Sequence, residues 1–244
     1  MTVIESRAEA RAPRSNSWAR LFIDHLRKKG RALARKIIPG GLVQEVSRYR
    51  SLRKPERSLY LKLKVKNSLT LNSRRVPSGA RSFVFVCFGN IMRSPMSEAL
   101  FREAITRHAN AGVKSCSAGL NATPGKGAHP WAIAAAQDFG ISLEGHQATL
   151  LTRVMVDEAD AILAMDVQNQ VEFLSRYPDA VGRLFLLGAY SGTTSRAIEI
   201  RDPFFGNLDE TRRCYRLLQT CTQNLADSLD LKSTLSAATS NGGR

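Results

Sequence analysis

The chain has 244 residues, of which 36 are lysine or arginine and 21 are aspartate or glutamate, so its net charge at pH 7 is +15. Residues 1–80 contain 20 of the basic and 5 of the acidic side chains, whereas residues 81–244 contain 16 of each. The charge therefore belongs to an appended basic segment and not to a uniformly basic fold. No apolar run is long enough to span a bilayer or to form a secretory signal, which predicts a cytoplasmic protein.

Residues 1–80 are expected to form a basic, partly disordered extension with an amphipathic helix at about 17–38. The apolar side chains of that helix fall near one face: Trp18, Leu21, Phe22, Leu26, Leu33 and Ile37. The segment LYLKLKVK at 59–66 alternates with period two, which predicts an edge strand with a lysine-rich face. Residues 72–82 have the composition of a linker.

From residue 82 onward, apolar runs alternate with helical patterns, which predicts a globular domain at 81–244 with a disordered tail at 233–244. The predicted strands are 82–87, 113–117, 160–164 and 184–188. The predicted helices are 95–108, 128–139, 151–157, 166–176 and 208–231. This order indicates an α/β fold of the flavodoxin-like type, with a central four-stranded parallel sheet and helices on both faces. Sites in such sheets lie at the carboxyl ends of strands, where Cys87 stands.

The segment CFGNIMRSP at 87–95 has the composition of an anion-binding loop. Gly89 and Asn90 tolerate positive φ, so the backbone N–H groups of the loop can turn inward around a tetrahedral anion. Ser94 followed by Pro95 predicts an N-cap and the first residue of a helix, whose N-terminus favours an anion. Arg93 supplies a planar fork that matches two phosphate oxygens.

The same loop predicts nucleophilic chemistry at Cys87. Inward N–H groups and a nearby cation favour the thiolate over the thiol, and a thiolate beneath a phosphoryl group is placed for in-line attack. The Ser94 hydroxyl is close enough in sequence to hydrogen-bond the sulfur. We expect the loop residues to bind the phosphate: Phe88, Gly89, Asn90, Ile91, Met92, Arg93 and Ser94.

Residues 82–232 resemble the low-molecular-weight protein tyrosine phosphatase family. The resemblance is carried, in order, by VCFGNIMRSPMSEAL, SAGL at 117–120, GISLEGHQATLLT, AMDVQNQ and RDPFFGNLDETRRCY. It implies hydrolysis of phosphotyrosine through a phosphocysteine, without a metal or organic cofactor. It also implies that Asp202 protonates the leaving oxygen and later activates water. The implied partners are a phosphotyrosine protein substrate and a tyrosine kinase.

The resemblance further implies that Asn90 braces the loop and that Ser117 and His146 hydrogen-bond to Asn90. Asp166 fits an N-cap of the helix at 166–176. Two departures from the family pattern stand out, because Met92 occupies the place of a second loop cysteine, and Phe204 and Phe205 occupy places where members often have tyrosine. The segment 124–131 offers Lys126 and Trp131 as residues at the rim of the cleft.

Two other functions remain open from the sequence. Cys214 and Cys221 are seven residues apart on one helix face, so an arsenate reductase of the same fold using them as resolving thiols is an alternative. A catalytically weak phosphate-binding regulatory module is the other. No zinc-type spacing joins the four cysteines and four histidines. The helix at 17–38 suits an anionic membrane surface, which would place the protein peripherally at the membrane, or an acidic protein; nucleic acid ranks last.

Overall fold

A parallel sheet forms the centre of the protein. The computed structural model describes residues 49–50, 52–69, 74–107, 112–192 and 199–229. The helix expected at 17–38 and the tail at 233–244 lie outside these ranges. Within them the sheet has four parallel strands, as predicted, and their order is β2-β1-β3-β4. They are β1 (Ser82–Cys87), β2 (Lys114–Gly119), β3 (Ala161–Ala164) and β4 (Leu184–Leu186).

Helices cover both faces of the sheet. In the described part of the chain they are α1 (Lys54–Leu69), α2 (Arg93–Thr106), α3 (Pro130–Gln137), α4 (Arg153–Glu158), α5 (Val167–Arg176) and α6 (Leu208–Asp227). Short 3-10 turns lie at Pro178–Arg183, Leu187–Tyr190 and Pro203–Phe205. No helix within the described ranges is both long and apolar enough to cross a membrane.

The alternation of side chains along β1 creates two apolar cores. Phe83 and Phe85 face α2, α3 and α6, while Val84 and Val86 face the core that includes residues of α4 and α5. Because β1 is central and covered on both faces, it is an almost continuous apolar run, SFVFVC. This run ends at Cys87, so the thiol is delivered to the carboxyl edge of the sheet.

Most predicted element boundaries agree with the structure to within four residues, but the start of α2 was assigned incorrectly. Helix α2 begins at Arg93, and Met92 occupies the N-cap position without a side-chain hydrogen bond. Ser94, which the sequence predicted as the cap, is instead buried and uses its hydroxyl in the loop. The predicted N-cap of α5 is confirmed, because Asp166 Oδ1 accepts from the Asn169 N–H at 2.8 Å.

The predicted strand at 59–66 is wrong, because these residues belong to α1. Pro55 and Glu56 lie in the first turn of the helix, and the Arg53 N–H donates to Glu56 Oε2 at 2.8 Å. Residues four apart share one face of a helix, and Leu61 and Val65 lie on a face of α1 that is exposed. The alternation of apolar residues therefore does not mark the buried face of a strand. Helix α1 packs against α5 instead of pairing with a strand.

The predicted linker is also more ordered than its composition indicates. Its described part, residues 74–81, packs along the edge of the domain, with Val76 buried and its N–H donating to Tyr190 Oη at 2.8 Å. The guanidinium of Arg75 lies 4.9 Å from the ring centre of Tyr190. Residues Arg53–Arg244 accordingly group as one compact unit, so this unit begins well before the boundary at 80–81 that the charge distribution indicates.

Candidate active site

The loop between β1 and α2 turns its peptide carbonyls outward, where surrounding segments bind them. Because the N–H and C=O of a trans peptide point in opposite directions, the N–H groups at 88, 89 and 91–93 point into the loop. The Asn90 N–H also points inward, 3.3 Å from Cys87 Sγ. The resulting concavity suits an anion. The outward contacts are Leu120 N to Cys87 O (2.9 Å), Asn121 N to Phe88 O (2.8 Å), His146 Nε2 to Asn90 O (2.6 Å), His129 N to Ile91 O (2.9 Å) and Tyr215 Oη to Met92 O (3.1 Å).

Asn90 holds the loop in its conformation. Its φ is +53°, and among the described residues it is the only non-glycine with positive φ. The side chain is fully buried, its Oδ1 accepts from the Thr149 N–H at 2.8 Å, and its Nδ2 donates to Ser94 Oγ at 2.9 Å. A left-handed conformation costs an ordinary L-residue free energy, so these two hydrogen bonds are needed to stabilise it.

Gly119, at the end of β2, lets the loop approach the sheet closely. A Cβ at this position would lie 2.8 Å from Asn90 N and 2.9 Å from the Gly89 carbonyl carbon. Both atoms are backbone, so they cannot move aside without distorting the loop. Glycine is required here for space and not for its dihedral freedom.

Cys87 lies at the floor of the loop with 3% of its surface exposed. Ser94 Oγ lies 3.0 Å from its sulfur, and the Asn90 N–H donates to the same atom. Since Ser94 Oγ also receives the Asn90 Nδ2 hydrogen, its own hydrogen is available to the sulfur or to Ala118 O at 3.3 Å. Donors aimed at the sulfur stabilise a thiolate, the form that acts as a nucleophile.

Arg93 is 2% exposed and lies between two carboxylates. Its Nη1 contacts Asp166 Oδ2 at 2.7 Å and donates to Ile200 O at 3.0 Å, while its Nη2 contacts Asp202 Oδ2 at 2.6 Å. Burial acts to lower the pKa of Arg93, but the charges of Asp202 and Asp166 outweigh it and raise that pKa above its ordinary value. The guanidinium is therefore a fixed positive charge beside the loop.

Asp202 lies at the mouth of the site, with 23% of its side chain exposed. Its Oδ1 accepts from the Phe204 N–H at 3.2 Å, which caps the 3-10 turn at Pro203–Phe205. Two phenylalanines follow Asp202 closely in the chain. The Phe204 ring packs 5.5 Å from the His129 ring, and Phe205 is 83% exposed. Phe88, the first residue after the thiol, is 45% exposed. The rim of the site is defined here by exposed rings that neighbour Cys87 and Asp202 in the chain, those of Phe88, Phe204 and Phe205.

Comparison with known proteins shows the family to which the chain that carries this site belongs. The model of the low molecular weight phosphotyrosine protein phosphatases matches residues 82–235. The chain belongs to this family. Two relatives are the low molecular weight protein-tyrosine-phosphatase Wzb of Escherichia coli K12, 33% identical over 61% of this chain and 95% of Wzb, and the protein-arginine-phosphatase of Bacillus subtilis, 34% identical over 60% and 95%. The crystal structure of the Erwinia amylovora tyrosine phosphatase AmsI superposes with a TM-score of 0.57 at 30% identity, over 65% and 99%.

In this phosphatase, the residues predicted for the site converge with one exception. Cys87, Asn90, Arg93, Ser94, His146 and Asp202 all contact one another or the loop as described above. The Ser117 side chain makes no hydrogen bond to Asn90 in the described part of the chain. Instead the Thr149 N–H binds the Asn90 amide, because the segment after His146 lies against the loop. The neighbouring Ala118 contributes only its carbonyl, to Ser94.

Three contributors to the site were missed by sequence reasoning. Asp166 was expected only as a helix cap, yet its second oxygen pairs with Arg93, since an N-cap at a strand end also faces the carboxyl edge of the sheet. Tyr215 and Thr149 reach the loop from distant segments, and no local pattern marks them.

Trp131, which the sequence predicts as a rim residue, is half-buried, and its ring lies 4.9 Å from that of His129.

The two thiols of the arsenate reductase alternative lie in the core of the phosphatase. Cys214 and Cys221 are both buried, and burial raises the pKa of each to about 12, which keeps both as poorly nucleophilic thiols. Seven residues of helix separate their Cα atoms by about 10 Å, too far for a disulfide between them. Among the described residues, no cluster of histidine, cysteine and acidic side chains has the form of a metal site.

Proposed function

We propose that this phosphatase hydrolyses phosphotyrosine in proteins through a phosphocysteine on Cys87. The observation that carries the proposal is the convergence of the loop N–H groups and the Arg93 guanidinium above a single buried sulfur. A phosphate monoester carries negative charge on three non-bridging oxygens. A nest of N–H donors with a fixed cation next to it is complementary to that charge. Its interaction with the phosphoryl group becomes stronger as charge shifts in the transition state.

In the first step, Cys87 Sγ attacks phosphorus, the S–P bond forms and the bond from phosphorus to the tyrosyl oxygen breaks. The electron pair of the broken bond passes to the tyrosyl oxygen, which needs a proton because a phenolate is a poor leaving group. Asp202 is proposed to supply this proton from the mouth of the site. The Arg93 fork and loop N–H groups hold the phosphoryl group in line with the sulfur.

Asp202 must be released from Arg93 before it can act as an acid. In the structure its Oδ2 lies 2.6 Å from Arg93 Nη2, whereas Nη1 is separately held by Asp166 and Ile200 O. Phosphate oxygens compete for Nη2, because its partner Asp202 is partly exposed whereas Asp166, the partner of Nη1, is buried. We infer that substrate binding turns Nη2 to phosphate and frees Asp202, which takes up from solvent the proton that it then donates, while Asp166 keeps the guanidinium in place.

In the second step, water attacks the phosphocysteine and the S–P bond breaks. Asp202, now a carboxylate, accepts the proton of the attacking water, and the electron pair of the S–P bond returns to sulfur. The Ser94 hydroxyl at 3.0 Å stabilises the departing thiolate by hydrogen bonding. Inorganic phosphate then leaves, and the enzyme is restored with no external cofactor.

The shape of the site favours a long substrate side chain with an aromatic ring. Cys87 and Arg93 are nearly fully buried, while Phe88 and Phe205 stand at the surface. A phosphoseryl group is shorter than a phosphotyrosyl group and therefore reaches a buried thiol less readily. Phenylalanine rings stack well on a phenyl ring. Since one relative is a protein-arginine-phosphatase, phosphoarginine is the competing substrate, but the rim named here offers rings and no carboxylate besides Asp202.

The test compares three peptides of one sequence that carry phosphotyrosine, phosphoarginine or phosphoserine. We expect phosphate release to be fastest from phosphotyrosine and abolished by Cys87→Ser. Faster release from phosphoarginine would overturn the substrate assignment but not the mechanism. Absence of release from all three would support the regulatory-module alternative, and thiol-dependent arsenate turnover lost in Cys214→Ser would support the reductase alternative.

For residues 17–38, where the sequence predicts an amphipathic helix, we propose separately that this segment binds an anionic membrane surface. The support is the net charge of +15 on residues 1–80, which contain this segment, and the apolar face described above. Co-sedimentation with vesicles that contain or lack anionic lipid, at low and high salt, tests it. Binding only to anionic vesicles is expected, and equal absence from both kinds would overturn it in favour of an acidic protein partner.

A further inference from the structure

Helix α1 precedes the residues matched by the family model, yet it docks on the catalytic domain. Glu56, Tyr60, Lys64 and Asn67 follow at intervals of four, four and three residues, so they share one helix face. Glu56 and Tyr60 on this face are buried. Asn67 Nδ2 donates to Gln170 Oε1 of α5 at 3.2 Å. This face, and not the exposed Leu61 and Val65, holds α1 on α5.

Lys64 reaches beyond α5 to the segment that carries the proposed general acid. Its Nζ lies 2.5 Å from Glu199 Oε1, and the two side chains are only 27% and 21% exposed. The other carboxylate oxygen, Glu199 Oε2, accepts from the Val167 N–H at 3.2 Å. Val167 is the first residue of α5, so the Glu199 carboxylate also lies at a helix N-terminus, where negative charge is favoured. One carboxylate therefore joins α1, α5 and the acid segment.

The acid segment, residues 199–202, is short and is held at its first two residues. Glu199 is held as described, and the next residue, Ile200, donates its N–H to Met165 O at 2.9 Å and accepts from Arg93 Nη1 at 3.0 Å through its carbonyl. Asp202 follows two residues later. A change in the position of Glu199 is therefore passed to the Asp202 carboxylate through a chain of only three peptide bonds.

We propose that Lys64 is a positioning residue for Asp202 that acts through Glu199, so that helix α1 belongs to the catalytic unit. The inference rests on the function proposed above. Lys64 touches neither the substrate nor the reacting atoms; its charge holds Glu199 against the start of α5, which sets the placement of the acid segment. The predicted consequence is specific, because the steps that depend on that placement are the two proton transfers of Asp202, to the leaving oxygen and from the attacking water.

Leaving-group dependence separates this role from a general effect on stability. Phenyl phosphate has a poor leaving group that requires protonation, whereas 2,4-dinitrophenyl phosphate has a good one that leaves as an anion. The value of kcat/KM reports the steps up to phosphoenzyme formation, in which this proton is transferred. The ratio of kcat/KM for phenyl phosphate to that for the dinitrophenyl ester is measured within one preparation, so any unfolded fraction cancels.

The variants are Lys64→Met, with Lys62→Met as the matched control, and Glu199→Gln, which keeps an oxygen for the Val167 N–H. Lys62 lies on the same helix, is exposed, and its substitution removes the same charge. We expect the ratio to fall about three- to fivefold in Lys64→Met, the range for a modest ion pair, and to stay unchanged in Lys62→Met. Lys64→Met combined with Glu199→Gln is expected to match Glu199→Gln alone, because the lysine acts through the glutamate.

Equal ratios in Lys64→Met and Lys62→Met would overturn the inference, as would a full effect of Lys64→Met in the Glu199→Gln background. Asp202→Asn provides the reference, since it should lower the ratio far more than any of these variants. If the wild type hydrolyses neither ester, or if Asp202→Asn leaves the ratio unchanged, the proposed function fails. If both behave as expected and only Lys64→Met has no effect, the positioning role alone fails.

Discussion

Replacing Asn90 separates the two reasons for its presence in the loop, its left-handed backbone and its two side-chain hydrogen bonds. Asn90→Gly keeps access to φ near +53° and removes only the side chain, whereas Asn90→Ala removes the side chain and leaves a Cβ in the left-handed region. The pair therefore divides the total effect into a hydrogen-bond part and a backbone part.

The expected size follows from the contacts. Asn90→Gly loses the hydrogen bonds to the Thr149 N–H and to Ser94 Oγ, and Ser94 is fully buried. At about 1 kcal/mol for each bond, and more where a buried partner is left without one, the free energy of unfolding should fall by about 2–4 kcal/mol. Asn90→Ala should lose about 1 kcal/mol more, because strain at positive φ outweighs the lower entropy of its unfolded chain.

Denaturant unfolding in phosphate-free buffer measures the change in the free energy of unfolding. Calorimetric titration with inorganic phosphate measures the affinity of the loop for phosphate. We expect the phosphate Kd to rise at least about tenfold in both variants, because the loop N–H groups would no longer all point toward the bound phosphate. If glycine and alanine destabilise equally, the backbone at Asn90 is not strained. If both variants retain the wild-type phosphate affinity, Asn90 does not brace the loop.

Three further predictions concern the surroundings of the loop. Gly119→Ala should raise the phosphate Kd by about tenfold or more because its Cβ would meet loop backbone, whereas Gly127→Ala, which has open space, should not. Tyr215→Phe should lower the free energy of unfolding by about 1 kcal/mol and weaken phosphate binding, through the lost hydrogen bond to Met92 O. Burial and, secondarily, the charge of Lys126 lower the pKa of His129 in the folded state. Below about pH 6.5, the ordinary pKa of histidine, the unfolded chain therefore binds a proton more readily at this group, and the fold loses stability. His129→Asn keeps a capping oxygen and should flatten the pH dependence of unfolding between about pH 5 and 7.

Each of these has an outcome that contradicts it. Wild-type phosphate affinity in Gly119→Ala would show that the loop does not need its close approach to β2. Unchanged stability and affinity in Tyr215→Phe would mean that the carbonyl of Met92 is not held by the hydroxyl. A pH dependence identical in wild type and His129→Asn would assign the titration to another group.

The core of the site could be predicted because its information is local. The residues from Cys87 to Ser94 are contiguous, and their types specify an inward-facing loop at the end of a buried strand. The sheet could be predicted for the same reason, since a run such as SFVFVC has few alternatives. The resemblance to a family then supplied Asp202, which composition alone would not have distinguished from other aspartates.

The remaining parts depend on contacts between distant segments. Thr149 and Tyr215 act on the loop through one backbone N–H and one hydroxyl, and neither residue type marks such a role. The sequence predicts only one of the two roles of Asp166. Its N-cap function is local, whereas its pairing with Arg93 joins residues 73 positions apart. The choice of Thr149 over Ser117 depends on where the loop rests on the folded chain.

Helix α1 shows how a local pattern can mislead. Leucine and lysine alternate at 59–66, which satisfies a strand, but the same residues have high helix propensity and follow Pro55 and Glu56. The residues that decide its packing are Tyr60 and Lys64. A strand would place Lys62 on the same face as both, whereas the helix leaves Lys62 exposed. With α1 docked, residues 54–69 are close to the acid segment that the sequence left separate from them.

The central claim is that phosphate passes through the sulfur of Cys87. The direct measurement is rapid quenching of the phosphatase with a phosphotyrosine peptide at millisecond times, followed by mass spectrometry of the peptide that contains residues 83–93. We predict a transient mass increase of one phosphoryl group on Cys87, which is absent in Cys87→Ser and decays as phosphate appears. Turnover of the peptide at full rate with no phosphoryl group on Cys87 at any time would contradict the account.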